Sequence, residues 1–187
     1  MNTSTLTVNQ VEVITSNYLV NLLLVNGKLN RMGLKSKIQE KLNYNIENLP
    51  TTIPFSDYMR VVEFIRQEYY SQLNRNVAYE LIGYQSSLEF LNSPLGQVLK
   101  LAAGVLGTQR GLHQFIKTMR TVMPFGKHHL EELTPHYVIY QMRDIDVPPA
   151  LVCGWLRASL EITQTKSKRI KAEEIGPRMV HYHLEWA

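Results

Sequence analysis

Cysteine is almost missing from this chain. One thiol, Cys153, stands among 187 residues, so no internal disulfide framework can form and a reducing compartment is expected. Long apolar runs are missing as well. The most apolar stretch, Tyr18 to Val25, is interrupted by Asn21 and is far shorter than the ~20 residues that cross a bilayer. The opening residues Met1-Asn2-Thr3-Ser4-Thr5 have neither the basic start nor the apolar centre of a secretory signal. These absences predict a cytoplasmic protein with no membrane span.

Catalytic signatures are absent too. There is no GxSxG, no GxxxxGK[ST] and no HExxH. Gly104, Gly107 and Gly111 are spaced wrongly for a nucleotide loop. Cys153 lies in the apolar segment Leu151-Val152-Cys153-Gly154-Trp155, where a thiol behaves as a small hydrophobe. Glu131 and Glu132 are adjacent, so on a strand they point to opposite faces and cannot pair as acid and base. A non-enzymatic protein is expected. Strong charge is lacking as well: the net charge is +4. Lys166, Lys168, Arg169 and Lys171 cluster, and Lys117, Arg120 and Lys127 form a looser group. No aromatics are interleaved with them, so nucleic acid is not an expected partner.

What is present suits one core. Hydrophobic residues make up 44% of the chain, an ordinary globular share. The pattern predicts an α+β fold in a single domain, 1–187. Residues 1–10 read as a flexible lead-in, 11–123 as mainly helical, and 124–187 as strands around a helix. Val11, Val13 and Ile14 alternate as a short strand or lead-in. Helices are expected over Tyr18–Leu24, capped by Asn17, and over Arg31–Leu42, with residues 43–54 as a loop.

Tyr58, Val61, Val62, Ile65 and Tyr69 form an i, i+3, i+4, i+7 stripe, with Ser56 or Asp57 as cap. The next helix, Val77–Leu91, is expected to turn Leu81, Tyr84, Leu88 and Leu91 inward. Ser93-Pro94 opens another, which Gly107 ends. Leu112, Phe115, Ile116 and Met119 mark one more, ending before Pro124.

Beyond Pro124 the period falls to two. Tyr137–Arg143 alternates after a Thr134-Pro135-His136 turn, with Val138, Tyr140 and Met142 on one face. Asp146 is the expected cap of a helix burying Val152, Trp155, Leu156 and Leu160. Ile170–Ile175 and Met179–Trp186 close the chain as a second hairpin. The helical first two-thirds thus precede an antiparallel sheet of β-β-α-β-β order.

That order carries a resemblance. The chain is similar to the superfamily of haem nitric-oxide-binding domains, transport-particle subunits and 4-vinyl-reductase domains. More closely, it resembles a paralogous family of myxobacterial type, of about this length and of unknown function. The matching stretches are Met32-Gly33-Leu34 with Ile53-Pro54-Phe55, and Tyr79-Glu80-Leu81-Ile82-Gly83-Tyr84. They continue in the helix from Gly111-Leu112 to Met119, in Leu133-Thr134-Pro135, and in Tyr182-His183-Leu184-Glu185-Trp186.

The resemblance implies where haem would be held: by a histidine on the helix before the first hairpin, with a Tyr-x-Ser-x-Arg clamp on the sheet. His113 stands on that helix as the candidate ligand. The clamp is incomplete. A register set on Arg143 places Ile139 and Gln141 in the other positions, and one set on Tyr140 places Met142 and Asp144 there. No cofactor is therefore expected, with haem through His113 as the weaker alternative. His181 and His183 share a strand face, and His128-His129 lie near the other hairpin. A polar outer face explains them without a metal.

The leading expectation is a sensory or regulatory domain that binds a small apolar ligand between helices and sheet. Its candidate pocket is Tyr69, Tyr84, Ala102, Phe115, Met119, Tyr140 and Trp155, in which tyrosine hydroxyls supply the polar groups. The alternative is a homodimerising adaptor without ligand, as the transport-particle resemblance implies. An enzyme of the vinyl-reductase-associated kind comes third.

Overall fold

A computed structural model describes residues 11–16, 19–20, 34–42, 45, 48–163 and 168–187. Within its helices the side chains at 34, 35, 42, 94, 95, 99, 102, 105 and 106 are not described. The expected lead-in 1–10, most of the helix Tyr18–Leu24, the motif start Met32-Gly33 and Lys166 lie outside the described residues.

The chain combines helices with two antiparallel sheets. The first sheet was not expected. β1 (Val13–Thr15) pairs with β2 (Thr52–Pro54), and Ile14 faces Ile53 across the ladder. Both side chains are fully buried. The first two-thirds are therefore not purely helical. Three residues are too few to display an alternation, which is why 43–54 read as a loop.

α1 (Leu34–Leu42) buries Ile38. α2 (Phe55–Tyr69) springs directly from β2 and buries Tyr58, Val61, Val62 and Ile65. Its cap position is Pro54, with no side-chain cap bond. Asp57 lies inside the first turn, where a carboxylate suits the helix dipole, and it pairs with Arg60. The expected Ser56 or Asp57 cap is thus displaced by the strand that runs straight into the helix.

α3 (Arg75–Asn92) is capped by Asn74, whose side chain accepts from the Asn76 N–H at 2.9 Å. Its buried face is Ala78, Tyr79, Ile82, Gly83, Ser86, Ser87 and Leu91. Leu81, Tyr84 and Leu88 are only half-buried, so the expected stripe is rotated. The reason is the partner helix, α5 (Pro149–Glu161). A Cβ placed on Gly83 would overlap the Leu151 carbonyl, and one on Gly154 would overlap the Glu80 carbonyl. Small residues define this contact, so a search for large apolar side chains picks the wrong face.

α2 and α3 are linked through Glu63. Its carboxylate accepts from Arg66 at 2.9 and 2.7 Å, from Gln67 at 2.8 Å and from the Tyr79 hydroxyl at 2.6 Å. The Arg66 guanidinium foremost, with Tyr79 and Gln67, outweighs partial burial and pulls the Glu63 carboxyl from 4.5 down to about 2.

α4 (Pro94–Val122) is capped by the Ser93 hydroxyl, which accepts from the Gly96 N–H at 3.2 Å. It bends at Gly107, whose φ of 79° is natural only for glycine. The two helices expected on either side of Gly107 are thus two arms of one element. The second arm buries Leu112, Ile116, Met119 and Val122.

The C-terminal part runs β3 (Lys127–Thr134), β4 (Tyr137–Arg143), α5 (Pro149–Glu161), β5 (Lys168–Gly176) and β6 (Met179–Trp186). The four strands form one antiparallel sheet in the order β3-β4-β6-β5. Val138, Tyr140, Met142, Val180, Tyr182 and Leu184 are buried and form its inner face. Asp146 does not cap α5. Pro148 holds the cap position without a side-chain bond. Two consecutive prolines already fix the entry backbone.

Candidate functional site

The alternation of β3, β4 and β6 sets a polar-aromatic row on the inner face of the sheet. Tyr140 pairs in register with Leu130 on one side and Tyr182 on the other. His128 and Tyr140 share a 2.6 Å hydrogen bond between Nδ1 and the hydroxyl, with their rings stacked at 6.1 Å. The Tyr140 and Tyr182 rings are 5.8 Å apart. Phe115 comes from α4 and meets Tyr140 edge-on at 6.3 Å. Trp155 and Met119 are buried in the same core.

Polar groups here are held out of water. The Tyr182 hydroxyl is buried and has no hydrogen-bond partner among the described residues. Burial pushes its pKa well above 10.0. Burial also lowers the His128 pKa, against the opposing effect of the Met123 and Phe125 backbone. The Cys153 thiol is pushed up to about 11, chiefly by burial, so thiolate is scarce at neutral pH and nucleophilic chemistry has no start there.

Among the described residues two acid-sensitive groups, His128 and Glu63, have pKa values below those of the unfolded chain. A lowered value means that the unfolded chain binds more protons, so stability is retained at higher pH and lost as pH falls. Stability is expected to hold above about pH 6.5 and to decline below it as unfolded His128 protonates. A second decline begins below about 4.5 and continues toward 2 through Glu63. Urea midpoints measured from pH 8 to 3 check this. His128→Gln should remove the first decline and leave the second, and a midpoint that rises between pH 7 and 5 contradicts the assignment.

Phe115 also walls a cavity of about 40 Å³ between α3, α4 and α5. Ser87, Phe90, Ala103, Gly111, Thr118 and Ser159 are among the other residues that line it. That volume holds roughly three water-sized groups. A mixed wall of apolar and small hydroxyl side chains suits a compact ligand with one polar end.

The expected pocket residues divide. Phe115, Met119, Tyr140 and Trp155 meet in one core. Tyr84 does not join them, because its hydroxyl donates to Glu161 at 2.6 Å on the outside of the α3–α5 pair. Tyr69 packs against the core from the end of α2 and is half-buried. The side chain of Ala102 lies outside the described residues. His128, Tyr182, Ser87, Gly111 and Ser159 were missed. Tyr182 was visible as an inward position of an alternating strand. The small cavity liners Ser87, Gly111 and Ser159 left no such signal.

The remaining histidines are placed as follows. His113 is 54% exposed and bonds to Glu132 on β3. His183 has both ring nitrogens engaged, by the Tyr137 hydroxyl at 2.7 Å and by Glu173 at 2.9 Å. No group of three or more metal-ligating side chains occurs among the described residues, and none of the described helices is long and apolar enough to cross a membrane.

A helical layer closed by this four-stranded sheet is the fold of the H-NOX domains. The structure of an Fe(II) unliganded H-NOX protein from K. algicida superposes with a TM-score of 0.62 at 12% identity, covering 93% of this chain and 97% of that one. An H-NOX protein from S. oneidensis in the Fe(II)NO state gives 0.59 at 11%, covering 91% and 96%. An oxygen-binding H-NOX domain related to soluble guanylate cyclases gives 0.61 at 9%, covering 91% and 92%. At these identities the likeness is one of fold. Residues 15–187 match the family described as Protein of unknown function (DUF2378), and the chain belongs to that family. No curated protein matches the sequence.

The Fe(II) states of those structures make haem the group to test, and the residues here do not fit it. His113, the candidate ligand of the weaker haem alternative, turns outward to Glu132. The space between α4 and the sheet is filled by Phe115, Met119, Tyr140 and Tyr182. The 40 Å³ cavity is small beside the ~300 Å³ or more of cofactor pockets.

Proposed function

We propose that the chain is a non-enzymatic domain that binds a small, largely apolar ligand in the Phe115-walled cavity, in a sensory or regulatory role. One observation carries this reading: the Tyr182 hydroxyl is buried without a partner among the described residues, in an aromatic row that reaches the cavity wall through Tyr140 and Phe115. A buried hydroxyl left unpaired costs about 1–3 kcal/mol. A ligand with one hydrogen-bonding atom offsets that cost, and rotation of Phe115 gives it room. Membership of a ligand-binding fold supports the reading by analogy.

A second reading, a homodimerising adaptor, has its own observation. Val98 and Leu101, one turn apart on the first arm of α4, are 63% and 74% exposed. Native mass spectrometry of the full chain tests both. The ligand reading expects a bound mass in the wild type that is weakened in Tyr182→Phe. A ligand-free chain in which Tyr182→Phe only raises the urea midpoint overturns it. A dimer that Leu101→Glu dissociates supports the adaptor.

A further inference from the structure

β3 is an edge strand of the four-stranded sheet as described, and its free side does not face open water. The second arm of α4 runs alongside it. At one end Arg120 donates to the His128 carbonyl through Nε at 3.2 Å and Nη2 at 2.6 Å. At the other end His113 and Gln109 bond to Glu132. Helix and strand are thus tied at both ends in opposite directions, and an open groove of about 500 Å³ lies between them.

Two features of this groove are independent of each other. The first is charge. Arg110, His113, Lys117 and Arg120 recur along one helix face and are all exposed, and His129 adds a further imidazole from the strand. None of the described residues lining the groove is acidic. Glu132 stands at its end, already bonded to His113 and Gln109. The second is backbone. The His128 carbonyl points away from β4 and toward α4, as its bond to Arg120 shows. In an antiparallel ladder such outward groups recur at every second residue, so the Leu130 N–H and carbonyl face the groove as well.

We propose that this groove takes an extended acidic peptide segment, which adds to β3 as a further strand and sets alternate carboxylates against Arg110 and Lys117. The dimensions agree. The ten helical rises from Arg110 to Arg120 span about 15 Å, the length of roughly five residues of strand. Main-chain bonds to Leu130 supply affinity and the basic stripe supplies selection for acidic side chains, the division of labour of strand addition. A nucleic acid would find the charge but not a use for the strand edge, and none of the described residues lining the groove is a Phe, Tyr or Trp on which a base could stack.

The test is fluorescence anisotropy of the full chain with a labelled Glu-Thr-Glu-Thr-Glu-Thr peptide at low salt. Binding is expected, about tenfold weaker for the double variant Arg110→Glu, Lys117→Glu, and weaker again as salt screens the contact. Both positions are exposed, and circular dichroism checks that the variant is folded. The same peptide N-methylated at alternate amides should lose binding, and the unmodified peptide should slow hydrogen exchange at Leu130. No binding up to about 1 mM peptide overturns the proposal. Equal binding of the N-methylated peptide also overturns it, since the edge is then unused. So does tighter binding of oligo-dT, which assigns the stripe to nucleic acid.

Discussion

Gly83→Ala is expected to lower the stability of the fold by about 3 kcal/mol, although it places alanine in a helix. Two effects oppose each other. Helix propensity alone favours the alanine by about 1 kcal/mol. Against this, the new methyl overlaps the Leu151 carbonyl and crowds Leu151 C at 3.0 Å and Cα at 3.3 Å. These are backbone atoms of α5, which cannot rotate aside, so α3 and α5 must separate. Overpacking of this kind costs about 1–3 kcal/mol and sometimes more, and separating the helices loosens Val152, Trp155 and Leu156 as well. Gly154→Ala meets α3 in the same way, through the Glu80 carbonyl and the Tyr84 amide. Once one methyl has parted the helices the second costs less, so the double variant should fall short of the sum. Gly104 is the control. A Cβ there meets nothing within 4 Å, so Gly104→Ala should gain up to about 1 kcal/mol. Urea titration with an unchanged m-value reads all four. If Gly83→Ala proves neutral or stabilising, the close approach of α3 and α5 is wrong.

That contact also shows where sequence reading succeeds and where it stops. The stripe Tyr58, Val61, Val62, Ile65 on α2 was legible because large apolar residues repeat at helical spacing and all meet the core. The strand β6 was legible because Val180, Tyr182, Leu184 and Trp186 alternate without exception. On α3 the same rule chose Leu81, Tyr84 and Leu88, because it rewards size. Of the expected residues only Leu91 is buried; Tyr79 and Ile82 join it together with Ala78, Gly83, Ser86 and Ser87, the last four distinguished by how little space they take. The candidate site was half-legible for the same reason. Phe115, Met119, Tyr140 and Trp155 are large and periodic. The cavity beside them is lined in part by Ser87, Ala103, Gly111 and Ser159, small residues whose meaning depends on a partner helix that is distant in sequence. His128 read as one of a polar pair with His129. Only the pairing of β3 with β4 turns it inward onto Tyr140 while His129 stays exposed. Helix starts failed where a proline or a preceding strand fixed the entry backbone, as at Pro54 and Pro148.

Trp155→Ala is expected to cost about 4 kcal/mol, within the range for deleting a fully buried aromatic. Trp155 is 1% exposed and packs in the core that holds Tyr140 and Tyr182. In a chain of this size that loss lowers Tm by roughly 8–16 °C, read by thermal unfolding. The informative measurement is the second one, repeated with indole in solution. Where the surrounding side chains keep their positions, the variant carries an apolar void of the shape of the missing ring. Such voids stay dry and accept aromatic guests. Indole at ten times its Kd then returns about 1.4 kcal/mol to the variant and nothing comparable to the wild type. If the core instead collapses into the space, Trp155→Ala costs only about 2 kcal/mol and indole has no effect. The two results bear on function as well as stability. Under the ligand reading, a rigid aromatic row is a site whose shape is held before a ligand arrives, and only such a site can report a small molecule by the movement of one wall residue, Phe115. A row that collapses cannot act in that way. The adaptor reading, with its exposed Val98 and Leu101, then gains from the same experiment.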